Sequence, residues 1–237
     1  MEYLSEQGLA TSDQLTERFF PNKECFWTRV RPLLKNGYVE SALLLSFASA
    51  VPSKMLPLVK KLREERRNVE RLKVYSLGAR FKTKAKHSLT IVAPMFAQHQ
   101  LGLNELRTFL EKTLPPEGIY LSDPEIRLEE LRLGSIEDIP IPDLVWRVQG
   151  RSYAFELERN QKSNLRYFER FSRYERSGYE RIVYFCENET LYEDLLEKAA
   201  RFPKIGFALT NKPSKVFSRF RGSQTVFDFL GVGSGRY

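Results

Sequence analysis

Residues 141–161 read IPDLVWRVQGRSYAFELERNQ, two alternating segments separated by Gln149-Gly150. Strand periodicity sorts their side chains onto two faces. Leu144, Trp146 and Val148 share one face with Tyr153, Phe155 and Leu157, an apolar surface that has to be covered by helices. The opposite face carries Asp143, Val145 and Arg147, then Ala154, Glu156 and Glu158. A two-residue loop at Gln149-Gly150 pairs Val148 with Arg151 and sets Asp143 opposite Glu156, with Cβ atoms roughly 5 Å apart. A loop at Gly150-Arg151 sets Asp143 opposite Glu158 instead. Either even-length loop keeps the three carboxylates on one face, whereas a three-residue loop scatters them.

Carboxylates gathered this way repel one another unless something positive sits among them. Two candidates supply that charge. A hard divalent ion, Mg²⁺ or Mn²⁺, is held by one or two carboxylates plus water and phosphate oxygens, and it activates water for attack on a phosphate. Alternatively the face is solvated, and Arg147, Arg159 or Lys162 is the countercharge. Other chemistries find no footing. His87 and His99 lack partners at zinc spacing, and there is no G-x-S-x-G elbow, P-loop or dinucleotide fingerprint.

Around this hairpin the pattern alternates helix and strand. LNELRTFL (103–110) is helical, 125–133 is a strand candidate, and 162–176 is an amphipathic helix ended by Ser177-Gly178. RIVYFC (181–186) and IGFALT (205–210) are buried-type strands on either side of a helix over 192–202. The order predicts a mixed sheet covered by helices, an α/β (α+β) domain over 87–211, with 212–237 as a loose C-terminal tail. Upstream lie a helical turn at 2–7, a helix capped by Ser12, a third helix capped by Asn22 and interrupted by Pro32, and strands within 38–47 and 72–77. Three helices and two strands around a basic excursion predict a winged helix over 1–86.

The net charge of +8 sharpens that reading. Between Lys60 and Lys86 stand eleven basic and three acidic residues, so this stretch accounts for the whole excess and the rest of the chain balances. Clustered cations displace counterions from phosphates, which points to a nucleic acid; a solvated helix and hairpin is the plain alternative. Candidate DNA contacts are Lys23, Arg29, Arg31 and Lys35 on the third helix, and Arg66, Arg67, Arg71, Arg80 and Lys82 in the wing. Arg166, Arg170 and Arg173 form a further stripe, either tracking a phosphate backbone or lying on the wet face opposite Leu165, Phe168 and Phe171. Two distant cysteines, no signal-like start and no apolar run of membrane length lead to the expectation of a cytoplasmic protein without a membrane partner.

Pro142-Asp143, a short hairpin and then Glu156-Leu157-Glu158 resemble the PD-(D/E)xK nuclease superfamily. The resemblance implies Asp143 and Glu156 as metal ligands and Glu158 at the family's lysine position, as in some restriction endonucleases. Lys162 would then be a displaced ammonium and Glu105 a further ligand. Over nearly its whole length the chain resembles the replication-relaxation family of plasmid and mobile-element proteins. The residues that carry this likeness are SDQLTERFF, NKECFWTRVRPLLKNGYVES, YSLG and PD…FELERNQ. That resemblance implies binding to double-stranded DNA. It leaves open a Mg²⁺-dependent endonuclease against a non-catalytic regulator or assembly factor that uses the second domain to dimerise or to dock replication or transfer proteins.

Overall fold

Two side-chain caps start the N-terminal helices. Helix α1 (Ser12–Phe19) is capped by Thr11 rather than Ser12: the Thr11 hydroxyl accepts from Gln14 N while Gln14 Oε1 accepts from Thr11 N. This reciprocal box satisfies two donors that the first turn leaves unpaired. Helix α2 (Lys23–Lys35) is capped as expected by Asn22, whose Oδ1 accepts from Cys25 N at 2.8 Å. Pro32 does not end it; the helix runs on to Lys35 with the proline exposed, and Asn36 N closes it on Pro32 O at 3.0 Å.

The structure, a computed structural model, describes residues 4, 9–43, 73–77, 94–123, 125–127 and 140–232. These fall into two units, Met1–Thr108 and Phe109–Tyr237. In the first, strands β1 (Leu9–Thr11), β2 (Val39–Leu43) and β3 (Lys73–Leu77) form an antiparallel sheet in the order β1-β3-β2, with Val39 opposite Leu77 and Ala10 opposite Tyr75. The alternation-poor segment that becomes β1 carries no strand signal of its own; its pairing with β3 defines it. Phe26 and Val30 of α2 pack with Leu15, Ala10, Val39 and Tyr75 in one core. Phe26 meets both Trp27 and Tyr75 edge-on. The helical turn expected at 2–7 lies outside the described residues except for Leu4.

Helix α3 (Pro94–Thr113) begins earlier than its leucine spacing indicates, and the division between the units falls within it. In the first unit its Asn104 Nδ2 donates to Leu9 O at 2.7 Å. The second unit is a seven-stranded mixed sheet. Its strands are β4 (Ile119–Ser122), β5 (Leu144–Val148), β6 (Arg151–Glu158), β7 (Arg181–Cys186), β8 (Ile205–Leu209), β9 (Lys212–Ser218) and β10 (Gly222–Thr225), adjacent in chain order. Only β6-β7 and β7-β8 are parallel. The crossovers are α4 (Asn164–Arg176) and α5 (Glu189–Lys198), and α6 (Val226–Leu230) follows β10. No helix among the described residues is long and apolar enough to cross a membrane.

Two expectations are corrected here. The first described strand of this sheet is Ile119–Ser122; of the strand expected over 125–133, residues 125–127 are helical and 128–133 lie outside the described residues, and Glu125 Oε2 accepts from both Ser122 N and Ser122 Oγ. The supposed tail folds instead as β9, β10 and α6, burying Val216, Val226, Phe229 and Leu230. Its short strands and polar alternation conceal the apolar residues that anchor it. Gly206 shows how tightly this extension is seated: a Cβ there would meet Val216 Cγ1 at 2.6 Å and Phe229 Cζ at 2.7 Å. Gly206→Ala should therefore lower stability by about 1–3 kcal/mol in urea unfolding, as overpacked cores do. Gly178→Ala, with nothing within 4 Å of the added methyl, should leave the midpoint nearly unchanged.

Candidate functional site

The turn chemistry at the centre of the second unit sets the geometry of its carboxylates. Gln149 and Gly150 both take positive φ, 50° and 75°, the pattern of a two-residue I′ hairpin loop. Val148 consequently pairs with Arg151 and Leu144 with Phe155. That register continues to Asp143 opposite Glu156, the first of the two alignments the sequence allows. Asp143 Oδ2 accepts from Leu157 N at 2.8 Å, which ties the start of β5 to the end of β6.

The carboxylate face is not open to water. Val145 and Ala154 lie in a core with Tyr167, Phe171 and Tyr174 of α4 and Leu191 and Leu195 of α5, so helices cover this face. The buried stripe of α4 is Tyr167, Phe171 and Tyr174, while Leu165 and Phe168 are exposed. This phase differs from the expected Leu165–Phe168–Phe171 stripe and turns Arg170 inward. Arg170 Nη2 donates to Glu156 Oε1 at 2.6 Å and to Ile141 O at 3.4 Å. Tyr174 OH donates to the same Glu156 oxygen. Tyr184 stands beside Glu156 in the β6-β7 register, its buried hydroxyl without a hydrogen-bond partner among the described residues.

Burial pushes the Glu156 carboxyl up to about 8, and the neighbouring Asp143 charge adds to the effect; attraction to Arg170 and the hydrogen bonds from Tyr174 and Arg170 oppose it. Glu158, also buried, accepts from Lys162 Nζ at 2.5 Å, so the expected displaced ammonium is beside its carboxylate. The Lys162 amide in turn donates to Tyr167 OH at 3.2 Å. Arg159 pairs with Glu187 at 2.6 Å, not with the cluster. Glu105 belongs to the first unit, where it faces Gln14 Nε2 at 3.5 Å.

Each of Glu156 and Glu158 thus has a protein cation as its counterion. A hard divalent ion on Glu156 needs a deprotonated carboxylate and would compete with the Arg170 guanidinium for it. No group of three or more His, Cys, Asp or Glu side chains suited to an ion forms among the described residues. The arrangement fits an internal ion pair better than a Mg²⁺ seat. It is the solvated-face alternative in altered form: Lys162 plays its expected part, but the second cation is Arg170, and both pairs are largely withdrawn from water.

In the first unit, the exposed side of α2 carries Glu24, Thr28, Arg29, Arg31 and Lys35. Arg31 lies over the half-buried Trp27 ring at 5.8 Å, so the indole serves the core and steadies a surface cation at once. Lys23 is partly spent on Asp13, at 2.8 Å. Thr28, whose hydroxyl back-bonds to Glu24 O, is a polar group on this face that charge counting overlooks. Arg66, Arg67, Arg71, Arg80 and Lys82 lie outside the described residues. Comparison with family models, curated proteins and solved structures gave no match.

The native state holds the Glu156 proton over a pH range in which the unfolded chain has released it. Stability should therefore fall as pH rises from about 4.5 toward about 8. Glu156→Gln should flatten that slope in thermal unfolding followed across the same range. Arg170→Ala, which removes the cation beside a buried carboxyl, should cost about 3 kcal/mol or more at the alkaline end. At the acid end, where the carboxyl is neutral, the loss should be smaller. Equal losses at both ends would exclude this account of the pair.

Proposed function

We propose that the chain is a double-stranded DNA-binding protein of a plasmid or mobile element. In this reading the first unit is a winged helix that holds DNA through α2, and the second is a PD-(D/E)xK-like fold serving as a non-catalytic docking or dimerisation body. The observation that carries the DNA reading is the sheet order β1-β3-β2 behind α1 and α2. This is the strand arrangement of a winged helix, and it leaves Arg29, Arg31 and Lys35 on an exposed helix face of groove-entering type. Arginine there can read guanine, and lysine can hold phosphate.

What supports a non-catalytic second unit is the Glu156–Arg170 pair and the Glu158–Lys162 pair, which neutralise the carboxylates without an ion. The endonuclease reading keeps one specific observation in its favour: Asp143, just before β5 and hydrogen-bonded to Leu157 N, lies close enough to Glu156 for its charge to be felt there, a juxtaposition a metal-dependent nuclease would use. In that case Asp143 and Glu156 would hold Mg²⁺ or Mn²⁺ and Lys162 would face the phosphate.

Two measurements separate these readings. Fluorescence anisotropy with duplex DNA should show salt-dependent binding, and Arg29→Ala/Arg31→Ala should weaken it at least tenfold while leaving the melting temperature in place. Undiminished binding by that variant would remove α2 from the interface. For the second unit, ~10 mM Mg²⁺ should not raise the melting temperature, because a ligand stabilises only a state that binds it. A clear rise that Asp143→Asn abolishes would replace the docking reading with the endonuclease one.

A further inference from the structure

Residues 198–227 contain seven basic residues and no acidic one, a second cationic stretch within the chain. The fold divides these cations by role. Lys198 pairs with Asp194, Lys204 Nζ donates to Glu175 O and Ser177 O, and Arg201 covers the Phe168 ring. These three are spent on the protein. Lys212, Lys215, Arg219 and Arg221 are exposed, and none ion-pairs with a carboxylate among the described residues.

Lys212 and Lys215 line an open cleft of about 180 Å³ with Tyr192, Leu209, Val216, Phe217 and Ser223. Small-molecule and cofactor sites run to roughly 300–1,000 Å³, so this cleft is too small for a whole cofactor and suits a single phosphate with part of its sugar. Its donors match that ligand: two ammonium groups and a hydroxyl, with aromatic edges beside them for the apolar side of a sugar or base. Its position matters as well. The sheet register runs Glu158 to Cys186, Cys186 to Leu209 and Leu209 to Lys212, so the cleft opens at the carboxyl ends of the parallel strands. Ligands of α/β sheets collect at that end. Three strand spacings, about 14 Å, separate Lys212 from Glu158, so a strand of DNA laid across these ends would span both.

We propose that the Lys212–Lys215 cleft of β9 is a second DNA contact, seating a backbone phosphate of duplex DNA. The proposal rests on the DNA-binding reading above and adds to it a surface on the other unit.

The full-length chain tests it. Lys212→Ala/Lys215→Ala should bind duplex DNA more weakly and reduce the log–log salt slope by about 1, since each phosphate contact contributes roughly 0.9. Both changes are at exposed positions, and an unchanged melting temperature would establish that the variant is folded. Acetylation of the wild-type chain by an amine-reactive reagent, read by mass spectrometry, should show Lys212 and Lys215 protected when duplex DNA is added. An unaltered slope together with unprotected lysines would overturn the proposal. If Arg29→Ala/Arg31→Ala still weakened binding in that event, the DNA-binding reading would stand without this cleft. Absence of binding by the wild-type chain would overturn both.

Discussion

The hydrogen-bond register between β5 and β6 depends on two residues, Gln149 and Gly150, that turn the chain through positive φ. Because side chains alternate with a period of two, that turn decides which of them meet α4 and which meet the Trp146 side of the sheet. It places Val145 and Ala154 under Tyr167, Phe171 and Tyr174, and it carries Glu156 into the same buried layer. A carboxylate in such a layer is costly unless it is paired or protonated. The fold meets the cost by both means, with Arg170 and Tyr174 on one oxygen and a proton held to unusually high pH. The hairpin turn and the inward tilt of Arg170 are therefore a single constraint seen at two places.

How much of this could be read from the residues differs from one element to the next. The register was narrowed to two even-length loops, at Gln149-Gly150 or Gly150-Arg151, because turn length and alternation are local properties, and the structure takes the first. The Asn22 cap was legible too, as were the two buried-type strands 181–186 and 205–210, whose bounds match β7 and β8 closely. The phase of α4 was not. Leucine and phenylalanine at 165 and 168 look like core, and tyrosines at 167 and 174 look amphipathic, but the space under β6 selects the tyrosine stripe because their hydroxyls reach partners there. Strand β1 escaped notice because three residues hold no periodicity; its pairing with β3, over sixty residues away, makes it a strand. Residues 212–221 were read as a loose tail for a similar reason: without β9 and β10, glycines and short polar runs look like an untethered end.

The charges of the second unit are sorted rather than scattered. Glu156, Glu158, Glu187 and Asp194 each face a cation of the same unit, namely Arg170, Lys162, Arg159 and Lys198. Pairs of this kind cancel at a distance and contribute little to the field outside. Among the cations outside these pairs are those of β9 and the β9-β10 turn, where residues 198–227 hold no acidic residue. In the first unit the same division holds on α2: Lys23 is drawn to Asp13, and Arg29, Arg31 and Lys35 stay on the exposed face. A polyanion approaching either unit would meet the unpaired residue of charge, not the formal total, because long-range attraction follows the net local field. In the proposed DNA-binding reading, internal neutralisation of the carboxylate cluster would serve association as well as stability. In that reading an unpaired Glu158 carboxylate would repel phosphate from the sheet end that carries Lys212 and Lys215, and Lys162 removes that repulsion, while Glu156 is neutralised by its own proton and by Arg170.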